Sequence, residues 1–200
     1  YINGAIIAYP FSWFEASYQY TDINNALYSD SPAFSGNQSY KDKGFDAKFR
    51  ILKESKLLPQ IAVGARDIAG TSVFTAEYVV MSKKIKNIDF SFGLGWGTLS
   101  GNKIKNPLTL ISDKYKERVN IDSDTQGGEV SFGKLFKGEA GYFAGAEVVI
   151  PNFSGLRFKI EYDGTDYMKE GFPLGNESFS FAFRPVKQPS SKFNFGLVLP

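Results

Sequence analysis

Apolar and polar residues alternate with a period of two along most of the chain, the pattern of strands that show one face to each side of a sheet. In residues 12–22, Phe14, Ala16, Tyr18 and Tyr20 interleave with Glu15, Ser17, Gln19 and Thr21. Residues 44–52 set Phe45, Ala47, Phe49 and Ile51 against Asp46, Lys48 and Arg50. In 60–66, Ile61, Val63 and Ala65 oppose Ala62, Gly64 and Arg66. Residues 72–81 read as Phe74, Ala76, Tyr78 and Val80 on the apolar side, with Thr75 and Glu77 on the other. The cleanest run is 88–97, where Ile88, Phe90, Phe92, Leu94 and Trp96 alternate with Asp89, Ser91 and three glycines. Further runs fall at 4–9, 129–133, 142–150, 156–163, 177–184 and 192–199. The total is roughly ten to twelve strands, and no 3.6-residue pattern of similar length competes.

The connections carry turn formers. Those at 67–71, 83–87, 136–141 and 151–155 are short enough for hairpins. Two are long, 23–39 and 98–126, and counting along the meander puts both on one side. The segment 164–176 spoils this parity, because it is also long and falls on the other side. Short turns at one end and long loops at the other are the habit of outer-membrane barrels. The predicted fold is therefore all-β: an antiparallel, up-and-down transmembrane β-barrel formed by residues 1–200 as one domain.

Charge placement supports this. A Lys or Arg facing lipid at the bilayer midplane costs ~2–4 kcal/mol. The charged residues that fall in the polar phase are Glu15, Asp46, Lys48, Arg50, Arg66, Glu77, Asp89, Glu129, Glu147, Arg157, Lys159, Glu161 and Arg184, predicted to line a lumen. Cations and anions nearly cancel there, so no strong field selects an ion. In a narrow barrel such charges should pair and close the section. The apolar phase is large and aromatic, with Phe49, Phe90, Phe92, Phe158 and Phe181 expected to face lipid. Trp13, Tyr20, Tyr40, Trp96, Tyr162 and Tyr167 fall near strand ends, where interfacial girdles sit. A soluble sandwich would show the same alternation, with those aromatics as its core.

Composition narrows the chemistry. The chain has 23 basic and 21 acidic side chains, no His and no Cys. A net charge of +2 gives no basic excess to replace phosphate counterions, so nucleic acid is not an expected partner. Thiolate or imidazole metal sites, disulfides and His-dependent triads are absent by composition. No apolar run is long enough for a transmembrane helix. The chain opens on Tyr1-Ile2-Asn3 and stops on Leu197-Val198-Leu199-Pro200 within a predicted strand, which reads as part of a longer polypeptide.

Several stretches resemble one family. They are Gln38-Ser39-Tyr40-Lys41-Asp42-Lys43-Gly44-Phe45-Asp46-Ala47-Lys48-Phe49, then Leu58-Pro59-Gln60-Ile61-Ala62-Val63-Gly64-Ala65-Arg66-Asp67 and the following Gly70-Thr71 with Phe74 and Ala76-Glu77-Tyr78. Residues 89–97 and the run from Gly155-Leu156-Arg157-Phe158-Lys159 to Glu161-Tyr162-Asp163-Gly164 continue the likeness. Through most of 11–184, and in order, the chain resembles YjbH-type exopolysaccharide-associated outer-membrane proteins. The resemblance implies a longer outer-membrane lipoprotein of a Gram-negative bacterium, with its lipidated Cys outside this chain. It also implies a part in making or exporting surface polysaccharide, without a catalytic centre.

Candidate sites are few. Arg66-Asp67 before Gly70-Thr71 is the most distinctive local feature: a polar rim for glycan or partner, or an Asp capping a tight turn. Lys41-Asp42-Lys43 reads as a charged strand entry. Tyr18, Tyr20, Tyr40 and Tyr115 join Arg66 and Asp67 as glycan or partner contacts, since Tyr and Arg stack on and hold sugars. Glu161, Asp163 and Asp166 are the nearest approach to a glycosidase pair, but Arg157 and Lys159 share their face and favour ionisation. Gly93-Leu94-Gly95-Trp96-Gly97 lies in a strand, so its glycines are small lumen residues rather than a phosphate loop. Asn120, Asp122 and Asp124 lack the glycine and glutamate a calcium loop needs.

The expected function is support of exopolysaccharide assembly or export, as a scaffold or glycan-contacting barrel without catalysis, cofactor or metal. Its expected partners are outer-membrane lipid, exopolysaccharide and other export proteins. A porin for small solutes and a soluble carbohydrate-binding sandwich are the alternatives. The segment 98–126 is expected to be an outer loop without buried structure, interrupted by a short turn at 108–115.

Overall fold

The computed structural model describes residues 2–28, 31–70, 74–118, 132–153, 155–167 and 189–199. Nine strands build it: β1 (Ile2–Phe11), β2 (Phe14–Leu27), β3 (Ser39–Leu52), β4 (Gln60–Arg66), β5 (Ala76–Ile85), β6 (Ile88–Gly97), β7 (Ala140–Val149), β8 (Arg157–Tyr162) and β9 (Phe193–Val198). They form one antiparallel sheet in strict sequence order, a nine-stranded meander. Among the described residues β1 and β9 do not pair, so the sheet is open rather than a closed barrel.

One predicted strand is not formed by the residues described. The described end of 129–133 is a 3-10 helix, Phe132–Lys134; Gly133 offers no side chain to pack in a strand, and Phe132 is exposed. The remainder of that run, with Glu129, lies outside the described residues, as do 177–184 with Phe181 and Arg184, and Asn120, Asp122 and Asp124.

With 129–133 removed from the count, the parity resolves. The connections 12–13, 53–59, 86–87 and 150–156 lie at one end of the sheet. The connections 28–38, 67–75, 98–139 and 163–192 lie at the other. Every long connection between the described strands therefore leaves from one side, and the apparent exception starts, after β8, at the same end as 98–139. We call the two the short-turn end and the long-loop end.

The pairing register assigns the faces. One face carries Glu15, Lys48, Gly64, Tyr78, Gly95 and Gly141 as successive cross-strand partners. Asp46, Arg50, Arg66, Asp89, Glu147, Arg157, Lys159 and Glu161 share it. The other face carries Phe49, Val63, Val79, Leu94 and Tyr142, with Phe90, Phe92, Phe158 and Phe195.

Glu77 is a correction. It falls on the apolar face with Val79 and Met81, while Tyr78 and Val80 take the polar face. Tyr78-Val79-Val80-Met81 is apolar in both phases, so alternation alone leaves the phase of β5 undetermined. Register decides it, since Tyr78 stands between Gly64 and Gly95, where room exists for a ring.

The core is small and off-centre. Ile23, Ala62, Ala76, Trp96 and Ala140 are its buried apolar members, and most of them cluster at the long-loop end. Among the described residues no second layer covers the middle of the apolar face: Ile6, Phe45, Phe49, Phe90, Phe92, Phe158 and Phe195 are exposed there.

Candidate functional site at the rim and polar face

Sheet curvature sets the geometry of the polar face. Lys48 on β3 and Asn194 on β9 line one cavity of about 540 Å³, together with Tyr78, Phe143, Glu161 and Asp163. Strands β3 and β9 are six positions apart, which on a flat sheet is ~29 Å. Residues so separated meet around one cavity only if the sheet is rolled with its polar face inward. The inward charges pair in part. Lys48 approaches Glu15 at 3.4 Å. Glu147 takes Arg157 at 3.1 Å and Lys159 at 3.0 Å. Among the described residues no group of three or more acidic side chains is arranged to hold a metal ion.

The long-loop end is built from folded connections, which corrects the expectation that 98–126 carries no buried structure. Short 3-10 turns do form at Pro107–Leu110 and Asp113–Tyr115. Before them, residues 98–101 fold onto the polar face, where the missing side chains of Gly95 and Gly141 leave space for Leu99 and Ser100. Gly101 N–H donates to the Gly164 carbonyl at 2.9 Å, and Asp166 N–H to the Thr98 carbonyl at 2.7 Å. Asn106 is buried; its amide donates to the carbonyls of Tyr115 and Phe136 and its oxygen accepts from Leu108 N–H.

On the opposite face the same connection covers Glu77. This carboxylate is fully buried and accepts from both terminal nitrogens of Arg118, at 2.7 and 2.9 Å, and from Phe136 N–H at 3.1 Å. The Phe136 ring meets Trp96, the cross-strand neighbour of Glu77, edge-on at 5.1 Å. A buried carboxylate with a bidentate Arg is geometrically specific. One connection thus grips both faces of the sheet at its rim. No local signal in the sequence marks this contact, since Arg118 lies 41 residues from Glu77.

Asp67 sits beyond β4 at the same end, with 4% of its surface exposed and φ +50°. Its Oδ2 accepts from Phe74 N–H at 3.1 Å, its own N–H donates to Asp46 Oδ1 at 3.0 Å, and its Oδ1 has no hydrogen-bond partner among the described residues. Burial and the nearby carboxylates of Asp42 and Asp46 push it up to about 7, against the pull of the Phe74 N–H and Arg66. The turn-capping reading of Arg66-Asp67 describes its contacts. Asp163 goes the other way. Burial would raise it, but Thr165 and Tyr167 hydrogen bonds outweigh that and hold it below the usual carboxylate range. A proton-holding general acid is therefore not found at Asp163.

The six residues marked as glycan or partner contacts do not form one cluster. Tyr40, Arg66 and Asp67 share the polar side of the long-loop end, with Tyr40 close to Asp42 and Asp67. Tyr18 and Tyr20 lie on the apolar face, Tyr18 5.1 Å from Phe45. Tyr115 ends a 3-10 turn, with the Lys114 ammonium 5.0 Å above its ring. In Lys41-Asp42-Lys43, Lys41 pairs with Asp22 while Asp42 is buried. Of the strand-end aromatics, Trp13 stacks on Phe11 and Phe49 at the short-turn end, and Tyr162 stacks on Tyr142. Trp96 is buried under Phe136 and Tyr40 faces the polar side, so neither stands on the outer surface.

Comparison with known proteins follows this geometry. No solved structure matches the chain. It is 45% identical over 200 residues to the uncharacterized lipoprotein YjbH of Escherichia coli K12, an alignment covering 99% of this chain and 26% of that protein. The chain thus spans about a quarter of that relative's length. A lipoprotein relative is consistent with a place in a bacterial cell envelope. A family model described as "Exopolysaccharide biosynthesis protein YbjH" matches residues 1–199. The chain belongs to the YjbH exopolysaccharide biosynthesis family.

Proposed function

We propose that this sheet is part of the wall of an outer-membrane β-barrel, which supports exopolysaccharide assembly or export as a scaffold and performs no catalysis itself. The observation that carries the reading is the contrast between its faces. The outer face is aromatic and, away from its rim, bare of any layer among the described residues, while the rolled inner face holds the charged residues and a cavity. An apolar face of this extent in water would be an association or aggregation surface; in lipid it needs no cover. Strands β1, β5, β6 and β7 have ten residues each. At ~3.4 Å per residue such strands reach ~34 Å, which at a tilt of ~35–45° rises ~24–28 Å and matches the ~25 Å apolar band of outer-membrane barrels. The distribution of short turns and long loops matches periplasmic and outer ends. Closure requires pairing of β1 with β9 or additional strands between them.

An open porin fits less well, because residues 98–101 fold onto the polar face and part of the inner charge is paired. Membrane partition of the full-length protein, expressed without its lipid-attachment cysteine so that no acyl chain can hold it, tests the proposal. It should stay with membranes through alkaline carbonate and require detergent for release. Recovery in the carbonate supernatant would overturn the membrane reading in favour of a soluble sandwich.

A further inference from the structure

The inner face is charged, yet two aromatic rings lie over glycines on it, their planes 79° apart. A Cβ placed on Gly64 would fall 2.3 Å from Tyr78 Cζ, and one on Gly93 would fall 2.1 Å from Phe143 Cζ. Gly64 is the cross-strand partner of Tyr78, and Gly93 of Phe143. Each ring therefore reaches across its neighbouring strand, against glycine backbone. The two rings meet edge-on, with centroids 6.4 Å apart, and both line the 540 Å³ cavity. Around them stand the Glu161 carboxylate, the Asn194 amide and the Lys48 ammonium.

We infer that this cavity binds a stretch of uncharged polysaccharide, with pyranose rings laid on Tyr78 and Phe143 and their hydroxyls bonded by Glu161 and Asn194. The inference rests on the reading of this face as the inside of a barrel, and it adds a ligand and a site to it. A pyranose has an apolar C–H side and a rim of hydroxyls. It fits a flat ring bordered by side chains that both donate and accept. The volume lies within the range of small-molecule sites, ~300–1,000 Å³. Charge selects the class of polymer. Lys48 is already drawn to Glu15 at 3.4 Å, and Glu161 and Asp163 leave the remaining lining acidic. Uronate or phosphate groups would be repelled, so the site suits neutral sugars.

The competing account is that the rings merely fill the space left by glycines, as aromatics do on designed and natural sheets. Binding separates the two. The full-length protein in detergent is titrated with malto-, cello- and isomalto-oligosaccharides, and with a hyaluronan oligosaccharide as the acidic control, followed by calorimetry. At least one neutral series should bind saturably. Glu161→Ala and Asn194→Ala, both at exposed positions, should each weaken it roughly tenfold, as expected for a lost hydrogen bond of ~1.4 kcal/mol. Phe143→Leu keeps apolar volume but removes the flat ring, and should weaken binding similarly. If that variant does not fold, the two polar variants carry the test. Absence of saturable binding to every neutral series, binding unchanged by Glu161→Ala and Asn194→Ala, or tighter binding of hyaluronan would each overturn the inference. The carbonate wash keeps the parent reading separate, since a protein that stays in the membrane but binds no sugar loses this inference alone.

Discussion

The two ends of the sheet are made on different principles. At the short-turn end the strands are joined by 12–13, 53–59, 86–87 and 150–156, and the contacts are solvent-accessible. Its ion pairs, Lys83 with Glu54 and Glu147 with Arg157 and Lys159, have partly exposed side chains. At the long-loop end lie Thr21, Asp42, Asp67, Glu77, Thr98, Ser100, Asn106 and Asp166, the buried polar residues among those described. A sheet without a second protein layer has no interior in its middle. Folded specificity, in the sense of uniquely paired polar groups, is instead concentrated at one rim. That rim is where a barrel would meet polymer or partners, and loops held by buried hydrogen bonds can present a fixed surface there.

The sharpest way to break this contrast is to cut one carboxylate at each end. Glu77→Ala leaves the Arg118 guanidinium and Phe136 N–H without their acceptor in a covered site, a loss of ~3–5 kcal/mol for breaking a buried pair. The expected outcome is a lowered denaturant midpoint, with new protease cleavage within 98–118. Glu147→Ala, at the other end, should leave the midpoint unmoved because exposed pairs contribute little. Equal effects at the two positions would remove the distinction drawn between the ends.

A second test sets one face against the other within a single strand. Phe92 is 44% exposed on the outer face, and its neighbour Ser91 faces inward, 3.0 Å from the Ser82 hydroxyl. Phe92→Lys should cost ~2–4 kcal/mol if position 92 meets lipid near the midplane. Ser91→Lys should be tolerated, because a lysine there points into a polar cavity. Membrane assembly, scored by folded-band migration on unheated gels, should drop for the first variant and persist for the second. Equal tolerance would count against lipid contact.

What could be read in the sequence follows from which forces are local. The strand β4 at Gln60–Arg66 and β6 at Ile88–Gly97 stand where the alternation placed them, because each has one apolar and one polar phase. The face of β5 could not be read, since both its phases are apolar and the choice depends on glycines in the neighbouring strands. The rim was also hidden. Nothing near Arg118 in sequence marks Glu77 as its partner, a contact 41 residues apart that exists only once the connection has folded back. The role of Gly93 as a small residue on the inner face was legible, whereas the Phe143 ring that occupies its space was not. Tyr18 and Arg66, grouped by residue type, were separated by register onto opposite faces.

The finest test concerns Asp67, whose side chain lies among other carboxylates at the long-loop end. Its neighbours are the carboxylates of Asp42 and Asp46, with Arg66 the cation acting on it, and it is pushed up to about 7. Below the ordinary carboxylate range the group is protonated folded and unfolded alike, and its burial carries no charge penalty. Between that range, near 3.9, and about 7 the folded protein holds the proton that the unfolded chain has released. Stability must then fall as pH rises through this window, and level off above it. With only 4% of Asp67 exposed there is little solvent screening, and the upper limit of the loss across the window is about 4 kcal/mol. Thermal unfolding of the wild type should show a lower midpoint at pH 8 than at pH 5. Asp67→Asn removes the titrating group while keeping an acceptor for Phe74 N–H, and asparagine tolerates the positive φ at this position. The variant should lose most of the difference between the two pH values and be the more stable protein at pH 8. An unchanged pH profile in Asp67→Asn would mean that Asp67 is already ionised in the fold, and that the long-loop end tolerates three neighbouring charges.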